Sequence, residues 1–171
     1  MTASLLALWV GLAAAAPARQ APDSVQHARL LAVMTETFNA FDRLRGATHQ
    51  FTLDLNNASD DLVLARAARL QRECQRADGM VADVERILAA PAPTPDAGRE
   101  VAPTRAAAKA LRTAFARCTR EWGGMPPRHP VRPDSLRAWG PYRSNQLEAT
   151  LRRHAPQFHA FAHAAGADPA H

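Results

Sequence analysis

The sequence predicts an all-α protein, an antiparallel four-helix bundle with a long Pro-rich crossover between its third and fourth helices. Three observations lead there. Apolar residues recur at alternating steps of four and three over long stretches. Strand-like alternation is confined to Phe51, Leu53 and Leu55. Segments rich in Asn, Pro or Gly divide the chain into four amphipathic pieces.

The first piece runs from about Asp23 to Leu55, with Leu31, Met34, Phe38, Phe41, Leu44, Phe51 and Leu55 near one drifting stripe. Asp23 or Ser24 can cap its start, and Gly46, costing about 1 kcal/mol relative to Ala, marks a bend or break. Asn57-Ala58-Ser59 has the form of a glycosylation sequon but reads better as a polar turn in which Ser59 caps the second helix. Asp60 and Asp61 then complement the helix dipole.

The second helix, reaching about Ala90, carries the cleanest pattern. Val63, Ala67, Leu70, Cys74, Ala77, Val81, Val84 and Leu88 form a heptad seam without a slip. Arg66, Arg69, Arg72, Arg76 and Arg86 lie off it and face water, with Arg69 and Glu73 spaced for a surface pair.

Pro91 to Gly98 reads as a flexible connection, and the third helix is expected from Pro103 to Trp122. Its stripe is Ala107, Leu111, Ala114 or Phe115, Cys118 and Trp122. The crossover is placed at Met125 to Pro141, with Trp139 pinning it and one helical turn after Asp134. The fourth helix is expected from Asn145 to Ala165, with Leu147, Leu151, His154, Phe158, Phe161 and Ala165 on its seam. Pro156 should kink it or start a new helix.

Residues 1–18 read as a signal peptide and 19–171 as a single domain. Leu5 to Ala16 is an uncharged apolar run too short to span a bilayer, and Ala16-Pro17-Ala18 supplies a small-residue cleavage site. No Lys or Arg precedes that run, an n-region weaker than usual, and no Cys follows it to carry a lipid anchor. Removal of this segment leaves no transmembrane candidate. Lys109 is the only lysine among 21 basic residues, and Ala and Pro are abundant, as in high-GC bacterial genomes. The expected location is a bacterial periplasm or the exterior.

Two cysteines in an exported chain suggest a disulfide. The midpoint of Cys74 and Cys118 falls in the connection between the second and third helices, and both lie on core seams. An antiparallel hairpin therefore sets them at one height, face to face.

Catalysis lacks a residue set: no nucleophile elbow, phosphate-cradling loop, zinc-protease helix or paired Glu-x-x-His pattern occurs. The expectation is a non-enzymatic binding or structural module with no required cofactor. Its candidate contact face is the basic C-terminal region, Arg128, Arg132, Arg137, Arg143, Arg152 and Arg153 against Asp134 and Glu148. That surplus, within a formal net charge of +5, suits an anionic partner or another protein. Trp139 and Tyr142 among the arginines resemble a nucleic-acid surface in composition, but an exported protein seldom meets nucleic acid. The alternative is a haem or divalent-metal carrier. Met34 and His154, at similar depth on the first and last helices, would be haem ligands. His159 and His163, four apart on one face, would hold a metal with help from His27, His49 or His171.

Overall fold

The computed structural model describes residues 24–55, 57–123 and 131–168. They form four helices: α1 (Ser24–Asp54), α2 (Asp60–Leu88), α3 (Pro95–Trp122) and α4 (Pro133–Ala164). Consecutive helices pack as antiparallel neighbours and α4 closes back on α1, giving the four-helix bundle.

Each start has a local cause. Ser59 caps α2 by accepting a hydrogen bond from the Leu62 amide, with Asp60 and Asp61 in the first turn. Thr94 caps α3 by accepting from the Ala97 amide at 3.0 Å, while its hydroxyl donates to the Ala164 carbonyl at 2.8 Å. One threonine thus opens α3 and satisfies a terminal carbonyl of α4. Pro95 and Pro133 occupy first-turn positions, where the missing amide costs nothing.

Two boundaries differ from the sequence expectation for that reason. Pro95 starts α3 rather than prolonging the linker, so Pro103 lies inside the helix. α4 begins at Pro133 instead of Asn145, so Trp139, Gly140 and Pro141 are helical and the crossover shrinks to residues 123–132. Pro156 likewise sits within one continuous α4. Pro103 and Pro156 are exposed and Pro141 half-buried, which leaves water able to reach the carbonyls they orphan. Gly46 does not interrupt α1.

The core follows the seams. Every seam residue of α2 is buried, and Phe41 on α1 meets Phe115 and Phe158 at ring-centroid distances of 6.2 and 5.5 Å. Burying each such ring contributes roughly 1.5–3 kcal/mol. Leu30 takes the inward place expected of Leu31, and Ala155 the one expected of His154. Thr37 and Thr48 are buried on α1 with hydroxyls donating to the Val33 and Leu44 carbonyls, so neither leaves a polar group unmet. Near the crossover Phe51 meets Trp122 edge-on and Trp139 packs tilted against Trp122, with centroids 4.5 and 4.9 Å apart. Gly140 lies beneath them, where a Cβ would fall 2.7 Å from Phe51 Cε1. This aromatic layer is what carries α4 through a Gly-Pro pair.

Cys74 and Cys118 are joined in a disulfide, their Cα atoms 6.1 Å apart. The same register puts Arg105 on the Leu88 carbonyl at 2.8 Å, leaving the first two turns of α3 beyond the end of α2. Those turns rest on α4, where Thr104 donates to the Gln157 carbonyl. The cysteines therefore share one level even though the connecting segment is shorter than the sequence suggests.

Candidate anion-binding surface

Which arginines are free to meet a partner depends on which ones already hold carboxylates or carbonyls. The α2 seam fixes the answer for that helix. Arg66 and Glu73 turn toward α1, where Arg66 meets Asp54 at 2.7 Å and Glu73 faces Arg43 at 3.9 Å. Asp78 and Glu85 turn toward α3 and grip Arg112 at 3.1 and 3.0 Å, which holds that guanidinium charged. The helical period then leaves Arg69, Arg72 and Arg76 pointing outward within a narrow stripe, and all three are exposed. Glu73, the partner expected for Arg69, belongs to Arg43 instead.

Among the described residues no carboxylate lies within ion-pair distance of Arg69, Arg72 or Arg76, and the same holds for exposed Arg117 and Arg120 on α3. These five side chains stand within five residues of Cys74 or two of Cys118, on the stapled part of the α2–α3 hairpin. Arg69 to Arg76 spans about 10 Å of helix axis. Exposed Ala65 and Gly79 bracket the stripe, and a Cβ on Gly79 would meet nothing within 4 Å.

Three of the C-terminal arginines are already engaged. Arg137 donates to the Leu55 carbonyl at 3.2 Å, the Ala58 carbonyl at 3.0 Å and Asp60 at 2.7 Å, clamping α4 onto the α1–α2 turn. Arg143 is held by Gln146 at 3.0 Å and Glu121 at 3.4 Å. Arg152 pairs with Glu148 at 2.9 Å. Arg132 and Arg153 are exposed, and Arg128 lies outside the described residues. Beside Arg143, a shallow groove of about 40 Å³ between α3 and α4 is lined by Arg117, Glu121, Trp122, Gln146 and Thr150. It has room for a few waters, not a metabolite. Trp139, expected to pin a crossover, instead packs on Trp122 from within α4, and Tyr142 stands exposed with its hydroxyl accepting from Gln146.

The candidate metal and haem residues are spread out. Met34 is fully buried, whereas His154 is half-buried. Burial first, and the neighbouring Arg153 second, push the His154 imidazole below its ordinary value toward the neutral form. Contacts along the α1–α4 seam pair Phe38 with His159, Phe41 with Phe158 and Phe51 with Gly140. On that register Met34 lies roughly two helical turns beyond His154. His159 stacks on Phe38 at 3.9 Å, while His163 Nδ1 lies 3.8 Å from Asp168, so the two imidazoles address different neighbours. His27 is near Gly166, His49 is exposed, and His171 is outside the described residues. Among the described residues no three His, Cys, Asp or Glu side chains converge as a metal-binding group.

The α2 stripe was visible in the sequence only as residues off the seam. What distinguishes it is the fate of Glu73, and a surface pairing rule assigns that carboxylate to the wrong helix. The sequence matches no protein-family model, and comparison with curated proteins and with solved structures gives no match either.

Proposed function

We propose that the chain is an exported, non-enzymatic binding module that holds an anionic partner against the outward arginine stripe of α2. One observation carries this reading: Arg69, Arg72 and Arg76 are exposed in one stripe and, among the described residues, meet no carboxylate, on the helix that Cys74–Cys118 ties to α3. Guanidinium groups offer planar, forked donors that match phosphate and carboxylate oxygens. A rigid backbone beneath them lowers the entropy lost when they engage.

Export to a bacterial periplasm or beyond is supported by the leader-like residues 1–18 and by the disulfide, a bond that persists in oxidising compartments. No helix among the described residues is long and apolar enough to cross a membrane. The test is titration of the processed chain, residues 19–171, with inorganic polyphosphate at rising salt. Binding that weakens linearly in log salt is expected, since each neutralised phosphate releases counterions. Failure to bind at low ionic strength refutes the reading.

A further inference from the structure

The arginine stripe has apolar neighbours that the bundle does not need. Among the described residues the exposed large apolar side chains are Val25, Leu31, Leu53, Leu62 and Tyr142. Leu62 sits seven residues before Arg69, two helical turns away on the same line of α2, and is 39% exposed. Leu53 is 59% exposed on the last turn of α1, which runs antiparallel beside the first turns of α2. Asp54, its neighbour, faces α2 through Arg66, and Phe38 faces α4 through His159, so Leu53 is left on the outer side of α1. The outer α1–α2 face thus presents two leucines at its turn end and, further along, three arginines that meet no carboxylate among the described residues, over roughly 20 Å of axis.

We propose that this face docks on an anionic lipid surface, a deepening that rests on the anionic-partner reading above. The arginines meet phosphate headgroups while Leu53 and Leu62 enter the headgroup–acyl boundary. Charge alone would suit any polyanion. The paired exposed leucines select a partner with an apolar layer just beneath its charge, and that describes a bilayer. Small, exposed Ala65 and Gly79 bracket the stripe and leave it open to a broad surface. Leu53, Leu62 and the three arginines serve no core contact, which leaves the fold indifferent to their replacement.

The experiment is co-sedimentation of residues 19–171 with vesicles of phosphatidylcholine alone or mixed with phosphatidylglycerol, beside a polyphosphate titration of the same samples. The wild-type chain should bind only the anionic vesicles. Replacing Arg69, Arg72 and Arg76 by Ala should weaken that binding by about a hundredfold, at roughly fivefold per arginine near the surface. Replacing Leu53 and Leu62 by Ser should weaken vesicle binding by about tenfold or more and leave polyphosphate binding unchanged. Circular dichroism of each variant keeps loss of fold distinct from loss of binding. Wild-type binding to polyphosphate without binding to anionic vesicles overturns the lipid inference and spares the broader reading. So does a leucine variant that sediments like wild type. Binding to neither probe overturns both.

Discussion

Breaking the bond between Cys74 and Cys118 removes the one covalent tie between distant parts of the chain. The two residues are 44 apart, so the closed loop costs the unfolded chain about 13 cal/mol/K in the loop-entropy model. At room temperature this is about 4 kcal/mol of stability. For a domain of this size each kcal/mol moves the midpoint by about 2–4 °C, so the reduced protein should melt roughly 8–16 °C lower. The clean comparison is oxidised against fully reduced wild type, the latter refolded in reductant, because both sulfurs remain in the core and no cavity confuses the result. Urea unfolding followed by far-ultraviolet circular dichroism measures the difference. A change below about 1 kcal/mol would refute the claim that this bond restrains the unfolded chain across the α2–α3 hairpin.

Other perturbations test particular contacts. Gly140→Ala places a methyl group 2.7 Å from Phe51 Cε1, and Phe51 is itself held edge-on to Trp122. It should therefore destabilise by about 1–3 kcal/mol in thermal melts, whereas Gly79→Ala, with open space around it, should stabilise by about 0.5–1 kcal/mol. Arg137→Ala removes donors to two carbonyls and to Asp60. With Arg137 partly exposed, a loss of about 2 kcal/mol is expected, and a neutral effect in urea unfolding would count against the clamp. For His154 the folded imidazole titrates below the ordinary 6.5, so the unfolded chain takes up its proton first. Stability should then rise with pH just below 6.5. His154→Gln should flatten that slope, and an unchanged slope would assign it to other groups.

The fold was legible where one force acted alone. The α2 seam and its Ser59 cap follow from apolar spacing and local capping, and the structure keeps both. The helix starts at Pro95 and Pro133 were harder, because proline ends one helix and opens another with the same ring. Thr94 decides the first case through a bond to Ala164, far away in sequence. Aromatic packing decides the second, since Phe51 and Trp122 support α4 over Gly140. The surface read from the sequence and the one proposed on the structure differ for an electrostatic reason. Counting charges along the C-terminal segment cannot show that Arg137, Arg143 and Arg152 are already engaged, nor that Arg43 takes Glu73 away from Arg69. Only tertiary pairing separates a net charge from an available one.

The central claim is that the outer face of α2, where three available arginines share one stripe, dominates anion binding over Arg132 and Arg153 of the α4 segment. Polyphosphate titration across a salt series should therefore compare two variants of residues 19–171. One replaces Arg69, Arg72 and Arg76 by Ala, the other Arg132 and Arg153. The account predicts that the α2 variant loses about two units of the log–log salt slope and most of its affinity, while the α4 variant stays close to wild type. An α4 variant that loses as much as the α2 variant, or an α2 variant that binds like wild type, would contradict it.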